Sequence, residues 1–210
     1  VAAARNDCRI GRATLDRLHD EVEPWPGDWP VGARTELVAL LLEGHRAIRV
    51  LESLDQWGLL SRFLPEWEPV RSKPQRNAYH RFTVDRHLWE AAANAAELVD
   101  RVSRPDLLVL GALFHDIGKG RPEPHEIVGA EIAARVCPRL GLDEARTEMV
   151  VWLVRHHLIM SDVAQKRDIT DPATVRDFAN QIRSAQRLKL LVVLTALDIR
   201  AVGPGVWNNW

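Results

Sequence analysis

The chain has 210 residues, 46% of them hydrophobic, and 28 Lys+Arg nearly balance 29 Asp+Glu for a formal net charge of -1. That composition excludes disordered and collagen-like chains and speaks against a dedicated nucleic-acid binder, which is usually basic. The length suits one well-packed domain, alone or with a helical annex.

Residues 1–22 are polar with scattered Leu and Ile, a weak helical signal. Pro24, Pro26 and Pro30 cannot continue a helix and predict a loop over 23–30. From Ala33, apolar residues at Leu37, Leu40, Leu41, Ile48, Leu51 and Leu54 keep three- and four-residue steps up to a break at Gly58. A short turn of helix over 59–64 is stopped by Pro65, and 66–77 reads as irregular. Thr83 is a fair N-cap for a helix to about residue 102, ended by Ser103-Arg104-Pro105. Residues 106–117 are apolar on almost every side, which predicts a helix at the centre of a bundle. Gly118 and Gly120 end it. A helix follows over 127–136, closed by Pro138 and Gly141, and Asp143 caps the next, which carries Val150, Trp152, Leu153 and Val154. Residues 161–170 read as a polar loop. Asp171-Pro172 starts a helix to about residue 184, and a last helix over 186–201 is stopped by Gly203-Pro204-Gly205. Alternating strand patterns are nearly absent, so the expected fold is an all-α helical bundle.

No apolar run approaches the roughly 18 residues of a membrane span. The N-terminus lacks the apolar core of a signal peptide. Cys8 and Cys137 make no disulfide framework. The expectation is a cytoplasmic protein, with no membrane or nucleic-acid partner and both thiols reduced. A start at Val1 and a stop at Trp210 predict a piece of a longer chain.

The sharpest chemical feature is His115-Asp116 at the end of the apolar helix. Burying a charge or an unpaired polar group costs several kcal/mol, and a metal ion offsets that cost. Other candidate ligands lie at helix ends or on apolar faces: His87, His125, His156, His157 and Asp198. Taken singly, each has an ordinary structural explanation, as a partner of a helix dipole, a cap or a hydrogen-bonded core residue. Spread over five helices, they match the way bundles assemble interior metal sites. His19 and His45 fall outside the pattern as solvated or capping residues, His80 is left open, and Trp89 and Trp152 read as core.

The residues His87, His115-Asp116 and Asp198 resemble the signature of the HD superfamily of metal-dependent phosphohydrolases. Longer strings narrow the likeness: Asn77 through His87, Leu113-Phe114-His115-Asp116-Ile117-Gly118-Lys119-Gly120, Leu153 through Leu158, and Asp198 through Trp207. Together they resemble the HD domain of bifunctional PII uridylyltransferase/uridylyl-removing enzymes. The likeness covers about 58–210, so 58–210 is expected to be the hydrolase domain. Residues 1–57 look, more loosely, like the helical extension that follows the nucleotidyltransferase core in that family. The Gly-Ser pair and paired acids of the transferase are absent, as are the glutamine-sensing ACT domains.

The resemblance therefore implies only the removing half of the activity: hydrolysis of UMP from a tyrosine of the PII signalling protein. The alternatives are removal of AMP from PII, a generic HD hydrolase of free nucleotides, and a non-catalytic regulatory helical domain. The minimal ligand set is His87, His115, Asp116 and Asp198 on one ion. A second ion fits if Asp116 bridges to His125, His156 and His157. Mixed nitrogen and oxygen donors suit Mn, Fe, Co or Zn better than Mg. Asp116 and Lys119 are the expected catalytic residues, with Lys119 holding a phosphate oxygen. Arg155, Arg167 and Arg200 are further candidates for phosphate or partner-protein contacts.

Overall fold

The structure, a computed structural model, describes residues 1–25, 27–75 and 81–203. The helices run in the order α1 (Ala2–Arg5), α2 (Arg12–Glu21), α3 (Ala33–Leu41), α4 (His45–Gln56), α5 (Leu59–Phe63), α6 (Val84–Ala96), α7 (Pro105–Phe114), α8 (His125–Arg139), α9 (Glu144–His156), α10 (Ile159–Lys166), α11 (Pro172–Ile182) and α12 (Ala185–Val202). Short 3-10 turns fill Pro65–Val70 and Val99–Arg101. No strand occurs among the described residues, and the architecture is all-α as the sequence pattern predicts. His80, part of the Asn77–His87 string, and the Pro204-Gly205 stop lie outside the described residues.

The apolar segment does occupy the centre. Pro105 opens α7 at a position where its missing N–H costs nothing, and every residue from Leu107 to Phe114 is buried. Helices α6, α9 and α12 pack around it, α8 pairs with α9, and α4 backs α6. Side chains cap several of the helices. Asp143 accepts from Arg146 N at 2.9 Å, Asp171 from Ala173 N at 2.8 Å, and Ser184 from Arg187 N at 3.1 Å. Trp89 is buried and stacks on Trp67, with ring centroids 5.7 Å apart. Trp152 is buried beneath the Arg187 guanidinium. Both tryptophans are core residues, as expected. The N-terminal loop is pinned by Trp25 and Trp29, which stack on each other and meet the edge of Phe63.

Several segments depart from the periodicity reading: α6 ends at Ala96 rather than near 102, and α8 runs through Pro138 to Arg139. The run from Ala33 is two helices rather than one, because Gly44 breaks it with φ +63 and ψ -136, a conformation that side chains disfavour. Residues 161–170 are not simply a polar loop: α10 carries helix on to Lys166. There Ile159 and Met160 pack against the core, Val163 follows on the same face, and Lys166 pairs with Asp162 one turn earlier at 2.7 Å. Among the described residues, no helix is long and apolar enough to cross a membrane.

The burial has a chemical consequence at the two thiols. Cys137 is fully buried in α8, and burial pushes its thiol up to about 12, whereas Cys8 is exposed. Alkylation of the native protein at pH 8 is expected to modify Cys8 rapidly and Cys137 only on unfolding. Two equally fast labels by mass spectrometry would contradict this packing.

Candidate metal centre

The ends of the inner helices converge on one spot. His87 lies in the first turn of α6, whose start is fixed by Asp85. That carboxylate accepts from Ser72 N at 2.6 Å and Arg86 N at 2.8 Å. His115 is the C-cap of α7, with Asp116 directly after it. His125 is the first residue of α8, His157 the C-cap of α9, and Asp198 lies near the end of α12.

Two of these histidines are oriented by the same local device. His115 Nδ1 donates to Ala112 O and His157 Nδ1 donates to Val154 O, each at 2.8 Å and each three residues back. These bonds fix the tautomer and turn both Nε2 lone pairs into the interior, as ligating histidines require.

The donor atoms fall into two groups. In the first, His87 Nε2 is 3.2 Å from His115 Nε2 and 3.0 Å from Asp198 Oδ1, and His115 Nε2 is 3.5 Å from Asp198 Oδ1. In the second, Asp116 Oδ1 is 3.2 Å from His125 Nε2 and 3.7 Å from His157 Nε2. The other oxygen of Asp116, Oδ2, lies 3.6 Å from both His87 Nε2 and His115 Nε2. One carboxylate thus faces both groups, an oxygen to each.

The shorter of these separations, 3.0–3.5 Å, are close to those of donors around one metal ion. Donors bonded at about 2.1 Å to one centre stand roughly 3.0–3.4 Å apart along the edges of an octahedron or tetrahedron. A further observation agrees: His157 is 2% exposed, yet its Nε2 has no hydrogen-bond partner. An orphaned nitrogen in such a place is costly unless a cation takes its lone pair.

Protonation follows the same geometry. Burial works against charge on Asp116, but His115 and Lys119 outweigh it and hold the carboxyl well below the usual range. Burial likewise opposes ionisation of Asp198, which His115 and His87 overcome. Burial and the nearby His115 push His157 down to about 4, so it is neutral and ready to ligate. His115 is the exception. Burial disfavours its charge, yet Asp116 and Asp198 raise its pKa above the ordinary imidazole value.

Lys119 Nζ closes one side of the centre, 2.5 Å from Asp116 Oδ2 and 2.8 Å from Gln75 Oε1. The remaining candidates are elsewhere. His156 belongs to neither group: its ring packs on Trp152, with centroids 4.9 Å apart. Adjacent helical residues point about 100° apart, so with His157 turned inward His156 cannot join it, and the expectation that it ligates is corrected. Arg155 is exposed on α9, Arg167 pairs with Asp177 of α11 at 3.5 Å, and Arg200 is exposed one half-turn beyond Asp198.

A family model described as "HD domain" matches residues 84–197. The chain belongs to the HD domain family. Proteins named "Bifunctional uridylyltransferase/uridylyl-removing enzyme" are similar to it over most or all of its length. The one from Streptomyces coelicolor is 47% identical over 210 residues, the whole of this chain and 25% of that protein. The one from Mycobacterium tuberculosis (strain H37Rv) is 46% identical over 213 residues, again covering the whole chain and 26% of that protein. In Ruegeria pomeroyi the figures are 49% identity over 217 residues, 96% of this chain and 23% of that protein. The chain therefore spans about a quarter of the length of the relatives it matches.

Two features of this HD domain's centre escape the sequence reading. The first is Gln75, whose bond to Lys119 crosses 44 residues of chain. The second is a glycine contact that seats α8. A Cβ on Gly118 would lie 2.0 Å from His125 O and 2.6 Å from Gly129 N, and one on Gly129 would meet Val154 at 2.9 Å. Gly118 therefore does more than end α7: its bare Cα lets the start of α8 close on the turn, which brings His125 to Asp116.

Two outcomes follow. Gly118→Ala must push His125 away, so it is expected to weaken ion binding at the Asp116–His125–His157 group and to lower stability by about 1–3 kcal/mol. Calorimetric titration with Mn²⁺ and thermal denaturation measure both effects, and wild-type values in each would contradict the packing. Apparent metal affinity should also rise with pH through and somewhat above the usual imidazole range, because a metal must displace the proton that Asp116 and Asp198 hold on His115. With one proton displaced, the slope is about tenfold per pH unit below the raised pKa and levels off above it. Affinity independent of pH across that range would count against His115 as a ligand.

Proposed function

We propose that this HD domain hydrolyses the phosphodiester that joins UMP to a tyrosine of the PII signalling protein, releasing UMP. What carries the reading is the bridging position of Asp116 between two donor groups, joined to the uridylyl-removing name of the relatives. The domain in this reading occupies 58–210, with 1–57 as a helical extension applied through α4 to α6.

His87, His115, Asp116 and Asp198 would hold one divalent transition ion, and Asp116, His125 and His157 a second; Mn, Fe, Co and Zn suit the mixed donors. Bound there, such ions supply Lewis-acid charge and a nucleophile from water at neutral pH. The chain's own residues do the rest. Asp116, kept ionised by its neighbours, fixes the spacing of the two groups. Lys119 spends two ammonium protons on Asp116 and Gln75 and keeps a third for a non-bridging phosphate oxygen, where negative charge builds in the transition state. The water oxygen loses a proton to solvent and forms a bond to phosphorus as the bond to the tyrosyl oxygen breaks; the electron pair leaves on the phenolate, which takes a proton back from solvent. A phenol has a pKa of about 10, so the leaving group departs without a strong general acid. Arg155, Arg167 and Arg200, all exposed, are the candidates for contacts with a protein substrate.

Replacing His115 and Asp116 together by Ala is expected to abolish bound metal and to lower hydrolysis of uridylylated PII by at least about a thousandfold, while helical content persists. Elemental analysis, circular dichroism and UMP release read the three quantities. Full activity in the double variant would refute the site. Faster turnover of adenylylated PII or of free nucleotides by the wild-type chain would refute the substrate.

A further inference from the structure

Residues 71–75 form a strap that follows the 3-10 turn of Pro65–Val70, and it is tied down at several points. Arg71 is held by Asp55, Nε to Oδ2 at 3.0 Å and Nη2 to the backbone oxygen at 2.7 Å. Ser72, with φ +49, gives its N–H to the buried Asp85, and Lys73 O accepts from Val84 N at 2.8 Å. The strap also lies against the turn after Asp116. A Cβ on Gly120 would meet Pro69 O at 2.6 Å and the Lys73 side chain at 3.2 Å.

At the end of this strap stands Gln75. Its Oε1 accepts from Lys119 Nζ at 2.8 Å, and its Nε2 donates to Phe82 O at 3.4 Å. The two ends of the amide meet groups of opposite chemistry, which fixes its orientation: a flipped amide would set its NH2 against an ammonium. Phe82 lies just before α6, the helix of His87. The Gln75 side chain thus joins the α6 entry to the turn that carries Asp116 and Lys119.

Lys119 needs such a tie. Its side chain is 23% exposed, and its other partner is Asp116, which also faces both donor groups. With Asp116 alone, an ammonium on a flexible four-carbon stem could fold flat onto the carboxylate or swing to water. Gln75 Oε1 gives the ammonium a second acceptor, carried by a different stretch of chain.

We propose that Gln75 is a positioning residue for Lys119: through one side-chain hydrogen bond, the strap sets where the Lys119 ammonium stands relative to Asp116. The inference rests on the proposed function only for its effect on turnover. The placement of Lys119 can be read without any reaction.

The chain has four lysines, Lys73, Lys119, Lys166 and Lys189, so each can be followed by mass spectrometry. The full 210-residue chain is treated briefly with N-hydroxysuccinimidyl acetate, with Lys166 and Lys189 as internal references. Gln75→Ala is expected to raise the acetylation rate of Lys119 relative to the references by about tenfold, the loss of one hydrogen bond to a charged group. Gln75→Glu, which keeps the acceptor, is expected to restore protection. An unchanged Lys119 rate in Gln75→Ala overturns the inference. The second arm uses the metal-loaded protein and uridylylated PII. Gln75→Ala should lower kcat/KM about tenfold in the wild type, cause no further loss in a Lys119→Met background, and leave metal content unchanged. Equal losses in both backgrounds would show that Gln75 does not act through Lys119 and would also overturn the inference. If Lys119 acetylation responds as expected but no UMP is released, the positioning role stands and the proposed reaction falls.

Discussion

Asp116 is 3% exposed and ionised, and every element around the centre is placed with respect to it. A carboxylate in such surroundings is unfavourable by several kcal/mol unless cations or donors answer it. Here the answer comes from four separate stretches of chain. His87 and His115 lie on the Oδ2 side, His125 and His157 on the Oδ1 side, and Lys119 closes the outer edge. The Nδ1 bonds of His115 and His157 to Ala112 O and Val154 O turn both Nε2 atoms toward this carboxylate, where a positive ion would satisfy donors of both groups. That arrangement of donors links the fold to the chemistry of the HD domain family.

The bundle makes such a cluster affordable by placing it at helix ends. Helix α7 is apolar throughout its length and gains its stability from burial, and only where it stops do His115 and Asp116 appear. At the C-caps of α7 and α9 the imidazole also satisfies a carbonyl three residues back, so one side chain ends the helix and aims a ligand. The glycine contact between Gly118 and Gly129 adds the start of α8 to the same spot. Much of the site's precision comes from the backbone and little from long flexible side chains; Lys119 is the exception, and Gln75 steadies it.

The sequence carries much of this in plain form. Apolar periodicity marks the central helix, caps such as Asp143 and Asp171 mark two starts, and the signature residues His87, His115, Asp116 and Asp198 come together. Other features were illegible for physical reasons. The His156-His157 pair offers two ligands in one dimension, but a helix can turn only one of them inward, and packing on Trp152 decides which. The apolar residues of α10 are hidden among polar residues that pair along the helix. Gly44 lies inside an unbroken apolar rhythm, and only its positive φ reveals the break. Gln75 sits in a stretch with no periodicity, and its partner is 44 residues away, so no local pattern could point to it.

The central claim is that one buried carboxylate is shared by two cation-binding groups. The most direct measurement is anomalous diffraction from crystals grown with Mn²⁺. The account predicts one anomalous peak among His87, His115, Asp116 and Asp198 and another among Asp116, His125 and His157, with an Asp116 oxygen bonded to each. Peaks confined to surface carboxylates, or an ion bound without Asp116, would contradict it.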